Sequence, residues 1–367
     1  MNTPLNELRD ALHKAKDGKA MGCDQIPIEA LKNTEACTFL LEMFNKAWET
    51  GLTPVMWRKS IIAPIPKDAS KDKRVPLNYR GISLASSVYK LYCAVIDNRL
   101  SSWAETYGLI NDEQNGFRKN RGCSDHLLSL NNIVDTRKQK RQSTYMCFVD
   151  FSKAYDRVNR QLLWIKLEKL GLNGNISRVL KSLYIDYQCC VRLNGFSTDY
   201  FSVKCGLKQG CILSPLLFNL YVNDLITSLK VTGKGIPIND HKVCCLAYAD
   251  DIVIMAENEP DLQLMLNVLH DWCKTWNMKI NPEKTKIVHF RPPSKDRTEQ
   301  KFSCGNDEIL LVDKYKYLGL VFNEHLNHNI MAKCVADSAN RALGVIIANL
   351  KHVVVCHLRY TRNCMMF

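Results

Sequence analysis

The segment from Cys244 to Ala256, CCLAYADDIVIMA, constrains the fold of this chain more than any other segment. Two adjacent carboxylates, Asp250 and Asp251, separate two short apolar runs, which is the pattern of a β-hairpin with the acids in its tight connection. Adjacent acids at the tip of an apolar hairpin cost free energy unless a cation lies beside them. The segment therefore predicts a hairpin that binds a cation.

A third acid, Asp150, ends the apolar run YMCFV, which has the length of a buried strand. If this strand and the hairpin were neighbours in one antiparallel sheet, Asp150, Asp250 and Asp251 would converge on one edge. Carboxylate oxygens suit Mg²⁺, and a pair of such ions can assist an in-line phosphoryl transfer. Spacing alone leaves other roles open for Asp150, as a helix-capping residue or an ordinary surface acid.

Helix and strand patterns alternate irregularly along the chain. An Asn194-Gly195 pair between two strand-like runs is the strongest short hairpin signal. The glycine-rich connection 206–210 leads to Ser214 as a predicted N-cap and to Pro215 as the first residue of an apolar helix. Because the mixture lacks a strict βαβ repeat, we expect an α+β fold rather than a doubly wound parallel sheet.

The chain has 367 residues and a formal net charge of +13. This excess favours a polyanionic partner, and nucleic acid is favoured over a membrane surface because no basic amphipathic helix with an aromatic face stands out. The sequence contains no run of 18 apolar residues and no secretory signal. We therefore expect an intracellular protein, nuclear or cytoplasmic, without a membrane partner.

Sixteen cysteines are scattered without the spacing of a disulfide framework, which favours a reducing compartment. Two interpretations of them stay open. Some could form a zinc site, although none has a C-x-x-C spacing, or they are ordinary buried thiols. The residues concerned are Cys189, Cys190, Cys244, Cys245, Cys334, His352, Cys356, His357 and Cys364.

Three segments together resemble motifs A, B and C of reverse transcriptases, and specifically those of LINE-like, non-LTR retrotransposons. They are FVDFSKAYDRVN, GLKQGCILSPLLFNLYVNDL and AYADDIVIMA. Five more segments resemble the family's and stand in its order: WRKSIIAPIPK, NYRGISLASSVYKL, NGFRKNRGCSDHL, NPEKTK and YKYLGLVF. The resemblance covers about residues 16 to 322 and implies the right-hand polymerase fold.

The resemblance implies roles for the residues of motif A and motif C. Asp150 and Asp250 match the family's two main metal ligands, with Asp251 as the third acid and the backbone carbonyl of Phe151 as a further donor. The implied cofactor is a pair of Mg²⁺ ions, with Mn²⁺ as an alternative. Tyr155 matches the aromatic steric gate whose bulk excludes a ribose 2′-hydroxyl, and a core tyrosine is the alternative interpretation.

Other matches concern the incoming nucleotide. Gln209 and Gly210 match the motif that lies along the nucleotide and the template, where glycine permits a close approach of the backbone. Arg80 and Lys67 match basic finger residues that hold the triphosphate. Together they imply a deoxynucleoside triphosphate as the substrate.

Two later segments are also assigned by resemblance. Lys284, with Lys286 as the alternative, matches a candidate general acid for the pyrophosphate leaving group. The segment Tyr315 to Phe322 resembles the hairpin that grips the primer terminus.

The resemblance also implies a domain organisation and a function. We expect an N-terminal extension at 1–50, fingers and palm at 51–322, and the start of an incomplete helical thumb at 323–367 of a larger polyprotein. No endonuclease domain is recognised. The expected function is RNA-directed DNA polymerisation, with an RNA template, a DNA primer and deoxynucleotides as partners. The alternative is a decayed or domesticated remnant that binds nucleic acid without polymerising.

Overall fold

The computed structural model describes residues 3–68 and 72–364, with side chains at 3–68, 72–348 and 350. The α-helices of this part of the chain are α1 (Leu5–Lys14), α2 (Thr34–Thr50), α3 (Ser87–Thr106), α4 (Cys123–Gln139), α5 (Ala154–Arg157), α6 (Arg160–Lys169), α7 (Asn175–Ser182), α8 (Ser214–Val231), α9 (Glu259–Thr275) and α10 (His328–Cys364). Short 3₁₀ helices span Ile28–Leu31, Val55–Arg58 and Pro76–Asn78.

The strands are mostly short. They are β1 (Lys59–Pro66), β2 (Tyr79–Leu84), β3 (Thr144–Val149), β4 (Gln188–Leu193), β5 (Phe196–Ser197), β6 (Phe201–Ser202), β7 (Ile236–Ile238), β8 (His241–Val243), β9 (Cys245–Tyr248), β10 (Asp251–Ala256), β11 (Lys286–Phe290), β12 (Phe302–Cys304), β13 (Asp307–Ile309), β14 (Leu311–Val312), β15 (Lys314–Tyr317) and β16 (Leu320–Asn323). Helices and strands are mixed without a βαβ repeat, so the predicted α+β class is confirmed.

The central sheet has the strand order β14-β11-β3-β10-β9. β3 is antiparallel to both β10 and β11, so the predicted strand and the predicted hairpin are direct neighbours. One detail of the prediction is wrong, because Asp251 pairs with Tyr248 and is the first residue of β10. Only Ala249 and Asp250 form the connection, since the ladder closes one residue earlier than the apolar pattern suggests.

Apolar residues cover both faces of the central sheet, which explains why β3 is a continuous apolar run. Cys147 and Val149 face a large core shared with α3, α6, α8 and α9. Met146 and Phe148 face a second core that includes residues of α4 and of the β15–β16 hairpin. Buried on both sides, β3 holds Asp150 at a fixed position at its end.

A second sheet has the order β2-β1-β4-β5, with β6 also paired to β4. The predicted Asn194-Gly195 hairpin is confirmed, because Leu193 pairs with Phe196 across it. Helix α1 packs on α3 and α2, α2 packs on α7, and Leu8, Leu12 and Phe44 belong to the large core. Within the described residues, no helix has both the length and the apolar character needed to cross a membrane.

The start of α8 differs from the prediction. Leu213 is its N-cap and Ser214 is already helical. The Ser214 hydroxyl donates to the carbonyl of Lys208 at 2.7 Å, so it stabilises the preceding loop instead of capping the helix. Pro215 is the second helical residue and not the first, because α8 begins one residue earlier than the pattern predicts.

Candidate functional site

Three acidic residues lie at one end of the central sheet. Val149 pairs with Ile252 across β3 and β10, so the next residues along each strand, Asp150 and Asp251, stand opposite each other. Asp250 precedes Asp251 in the connection from β9. The N-cap of the first helix after β3 is Lys153, so Asp150 is not a helix-capping residue.

The carboxylates influence one another electrostatically. Burial raises the pKa of Asp250, and the charge of Asp150 raises it further, whereas Arg80 and Lys284 lower it. The pKa of Asp251 rises to about 6 through desolvation by the surrounding protein and then through the charges of Asp250 and Asp150. The site thus concentrates negative charge that a cation would relieve.

The segment 281–286 fixes Asp150 and supplies a cation. The amide of Asn281 donates to the Asp150 carbonyl at 2.7 Å, and the Asp150 amide donates to the buried Thr285 hydroxyl at 3.1 Å. The ammonium of Lys284 lies 3.6 Å from an Asp150 carboxylate oxygen. The ammonium of Lys286 instead donates to the Pro282 carbonyl at 3.2 Å, so Lys284 is the lysine placed at the acids.

The connection that carries Asp250 is held by residues that the sequence did not single out. Ala249 has a left-handed backbone, φ 57°, where glycine is usual in a two-residue turn. The buried side chain of Gln114 brackets it: its oxygen accepts from the Ala249 amide at 2.8 Å, and its NH₂ donates to the Ala249 carbonyl at 3.3 Å. In the sequence, the only signal for this support is the alanine itself, because a non-glycine residue at this turn position needs contacts from another segment to hold its left-handed backbone.

Gly116 packs directly on the same connection. A Cβ at this position would lie 2.2 Å from the Ala249 nitrogen, a distance that side chains do not tolerate. The glycine therefore lets the segment 113–116 lie against the edge strand β9, where Gln114 forms a parallel bridge with Ala247.

Substitution Gly116→Ala is expected to lower the free energy of unfolding by about 1–3 kcal/mol, because the backbone of Ala249 cannot move away without breaking the Gln114 bonds. Urea unfolding followed by circular dichroism measures the change. Gly344→Ala is the matched control, since no heavy atom lies within 4 Å of a Cβ there and alanine suits a helix. A Gly116→Ala protein as stable as the wild type would contradict the close packing.

Tyr155 lies between the acids and the loop 206–210. Its ring stacks on Phe218 with centroids 4.7 Å apart, and its carbonyl accepts from the Leu207 amide at 2.8 Å. Burial raises the pKa of Tyr155, and the charge of Asp250 raises it further. Tyr155 is thus half-buried and within electrostatic reach of Asp250.

The loop 206–210 also contacts the second sheet. The Gln209 carbonyl accepts from the Ser83 amide at 2.9 Å, and its side-chain NH₂ donates to Asp156 at 2.7 Å. Gly210 has φ 95°, and a Cβ there would lie 3.3 Å from the Ser83 carbonyl oxygen. Asp156, which the sequence did not suggest, therefore sets the orientation of the Gln209 amide.

Arg80 and Lys67 have different surroundings. Arg80 lies on β2, close enough to Asp250 for its charge to lower that pKa. Lys67 follows β1, where its ammonium donates to the Leu77 carbonyl at 2.9 Å. The structure brings Arg80 to the acids and leaves Lys67 at the base of the β1–β2 connection.

Two buried cations stabilise the loop 206–210 through hydrogen bonds to backbone carbonyls, and the sequence predicted neither of them. Arg160 donates at 2.7–3.1 Å to the carbonyls of Val203, Cys205 and Gly206. Lys208 donates to the carbonyls of Trp57 and Leu183 at 3.1 and 3.0 Å and lies over the rings of Tyr89, Tyr184 and Tyr187. Burial lowers the pKa of Lys208 to about 8. Only the tertiary structure reveals these anchors.

The hairpin of β15 and β16 packs beneath the acids. Tyr315 stacks on Phe148 with centroids 4.5 Å apart, and Phe148 lies two residues before Asp150. Burial raises the pKa of Tyr315 to about 12, with smaller contributions from the charges of Asp150 and Asp251.

Candidate metal ligands occur at the acids and among the cysteines and histidines. In the part of the chain that the structure describes, no three or more His, Cys, Asp or Glu side chains form a ready-made metal site. Cys189, Cys190, Cys244 and Cys245 are buried free thiols, and Cys334 is a half-buried one. The side chains of His352, Cys356, His357 and Cys364 lie outside the described residues. The acids at the sheet end offer oxygen donors, and Phe151 can contribute only its backbone carbonyl, because its side chain has no donor atom.

Comparison with known families gives one match over most of the chain. The model of the family described as reverse transcriptase (RNA-dependent DNA polymerase) matches residues 65–322. This range includes the three acids and the whole of the site described above.

Curated proteins with similar sequences come from mobile elements. The RNA-directed DNA polymerase from mobile element jockey of Drosophila melanogaster is 26% identical over 330 residues, which cover 88% of this chain and 35% of that protein. The Pol polyprotein from the type-1 element R2 of Popillia japonica is 27% identical over 311 residues, 83% of this chain and 42% of that protein. The chain thus spans less than half the length of these relatives. A solved apo telomerase from Candida tropicalis gives a TM-score of 0.49 at 16% identity, over 79% of this chain and 60% of that chain.

Proposed function

Because the chain belongs to the reverse transcriptase (RNA-dependent DNA polymerase) family, we propose that it adds deoxynucleotides to the 3′-hydroxyl of a DNA primer paired with an RNA template. The observation that carries this proposal is the meeting of Asp150, Asp250 and Asp251 at the end of the central sheet. The raised pKa values of Asp250 and Asp251, caused by burial and by neighbouring negative charges, suit a site that binds divalent cations for a reaction rather than a passive binding surface.

Divalent metal ions are general in this family, and the donors present here fit them. Asp150, Asp250 and the Phe151 carbonyl would hold the ions, with Asp251 as the third acid. All of these are hard oxygen donors, which favours Mg²⁺ and admits Mn²⁺. When bound, such ions activate the attacking hydroxyl and stabilise the leaving oxygen of the phosphoryl transfer. A pair of ions at this place is part of the proposal.

The remaining residues of the site position the nucleotide. Arg80 would neutralise the triphosphate, since its charge already acts on Asp250. Lys284, 3.6 Å from Asp150, would donate a proton to the pyrophosphate as it leaves. Gln209 and Gly210 would lie along the nucleotide and template, because the positive φ of Gly210 brings the backbone close to β2 without a side chain between them.

We also propose the arrangement of the hand. Residues 51–322 would form fingers and palm, with the β2-β1-β4-β5 sheet in the fingers and the acid-bearing sheet in the palm. Residues 323–367 would begin the thumb, and residues 1–50 would be an extension that packs on α3. Lys67 would approach the triphosphate only if it leaves the Leu77 carbonyl, so Arg80 is the stronger candidate. The charge of +13 would hold the template and primer through their phosphates.

Primer extension tests the proposal directly. A 5′-labelled DNA primer annealed to an RNA template is incubated with the purified chain, deoxynucleotides and millimolar Mg²⁺. We expect extension to the end of the template, and its loss when a chelator replaces Mg²⁺, because the acids alone cannot stabilise the leaving group. Binding of the primer–template by gel shift without extension in either Mg²⁺ or Mn²⁺ would instead identify a nucleic-acid-binding remnant.

A further inference from the structure

Phe117 is an exposed aromatic residue with a strained backbone beside the acid-bearing connection. Its side chain is 63% exposed, and its φ is 59°. A bulky residue in the left-handed region is an outlier, since its Cβ crowds the following carbonyl. Glycine or asparagine would adopt this φ with less backbone strain, so a surface turn alone does not explain a phenylalanine here.

The surrounding contacts force this conformation. The Gly116 amide donates to the Gln114 side chain at 2.9 Å, and the Gly116 carbonyl accepts from Asn219 of α8 at 2.6 Å. On the other side, the guanidinium of Arg118 donates to the carbonyls of Asn111 and Gln114 at 3.0 Å each and pairs with Glu105 at 2.6 Å. Strain that is over-determined in this way is characteristic of functional positions.

The place of the loop indicates what Phe117 contacts. Gly116, the residue before Phe117, packs on Ala249, the residue before Asp250. Phe117 therefore lies beside the backbone that carries the catalytic acid. Lys119, two residues further, is also exposed. If the acids act on the primer 3′-hydroxyl, the last base pairs of the duplex must lie over this connection. A rigid exposed ring beside a cation suits stacking on the bases or sugars of nucleic acid and pairing with a phosphate.

We propose that Phe117 is a contact for the primer–template duplex, packing against its terminal base pairs while Lys119 pairs with a backbone phosphate. The inference rests on the proposed function and adds to it a contact from a segment outside motifs A to C. The backbone strain of Phe117 is then retained because it aims the ring at the duplex.

The substitution Phe117→Gly separates this role from a structural one. Glycine relieves the strain, so the melting temperature should stay unchanged or rise by about a few degrees. The same change removes the ring, so the dissociation constant for a fluorescein-labelled DNA primer on an RNA template should rise about tenfold in anisotropy titrations. Phe39→Ala is the matched control, since Phe39 is 64% exposed on α2, and it should leave the dissociation constant unchanged.

Lys119→Gln gives an independent readout. The slope of log affinity against log salt concentration should fall by about 1, as expected for one lost phosphate contact. Phe117→Gly should leave this slope unchanged, because its effect is not ionic.

The outcomes distinguish the two proposals. If the wild type extends a primer and Phe117→Gly binds the duplex as tightly as the wild type does, the contact is wrong and the polymerase function stands. Loss of stability in Phe117→Gly with an unchanged dissociation constant would also overturn the contact, since the ring would then be structural. If the wild type neither binds nor extends the primer–template, the proposed function itself fails and the contact with it.

Discussion

Replacing Asp250 by asparagine is expected to lower primer extension about a thousandfold, because metal-assisted charge stabilisation contributes several kcal/mol to the transition state. The amide keeps the shape of the side chain and removes only the charge. Extension rates at saturating deoxynucleotide and fixed Mg²⁺ measure the loss. Retention of extension within about tenfold of the wild-type rate would contradict the assignment of this acid.

The same variant should not be less stable. Burial and Asp150 raise the pKa of Asp250 in the folded state, so the folded protein binds its proton more tightly than the unfolded chain does. By linkage, that charge opposes folding at any pH above the folded pKa, and stability falls as pH rises through it. Asparagine removes this contribution. In a chelator, the melting temperature of Asp250→Asn should therefore equal or exceed that of the wild type.

Mg²⁺ supplies a readout besides activity. It should raise the melting temperature of the wild type, since a ligand that binds only the folded state stabilises it. The rise should be absent or much smaller in Asp250→Asn. Asp240→Asn is the control, because Asp240 is exposed in the β7–β8 connection and is expected to change neither extension nor the Mg²⁺ response.

Replacing Tyr155 by alanine is expected to raise the use of ribonucleotides relative to deoxynucleotides by about a hundredfold, the scale on which a pocket discriminates a single hydroxyl. The ring stacks on Phe218 with centroids 4.7 Å apart, and the Leu207 amide fixes the backbone of Tyr155 through its carbonyl, so the ring is expected to stay in place against a 2′-hydroxyl. The ratio of kcat/KM for the two nucleotides, measured on one preparation, cancels any loss of folded protein.

Tyr155→Phe is the matched control for the gate. It keeps the ring and its stack on Phe218 and removes only the hydroxyl group. Discrimination between ribonucleotides and deoxynucleotides should therefore remain close to that of the wild type. An unchanged ratio in Tyr155→Ala would count against the gate and would leave Tyr155 as a core residue that packs on Phe218.

Much of the fold and part of the candidate site could be predicted from local patterns. The run before Asp150 and the runs around Asp250 and Asp251 have the lengths and the continuous apolar character of buried strands, and short-range rules suffice for these. The Asn194-Gly195 hairpin follows from turn chemistry alone. The resemblance to the family identified the motifs, their order and the candidate residues within them. The individual roles of these residues remain predictions.

Other features could not be predicted, because they depend on partners far apart in the chain. Ser214 has a side chain that often caps helices, but here its hydroxyl donates a hydrogen bond to the Lys208 carbonyl. Lys208 and Arg160 look like surface cations in the sequence, and both are buried donors to backbone carbonyls. Lys284 and Lys286 are equivalent by pattern, and only the distance to Asp150 distinguishes them.

By itself, the sequence determined that acids would stand at the ends of buried strands, since alternating and continuous apolar runs specify strands locally. The tertiary structure decided how those acids are held. Gln114 and Gly116 support the left-handed Ala249 from a segment more than a hundred residues earlier, and that support fixes the position of Asp250. Hydrogen bonds and close packing between distant segments have no local signature, so only the folded chain could show them.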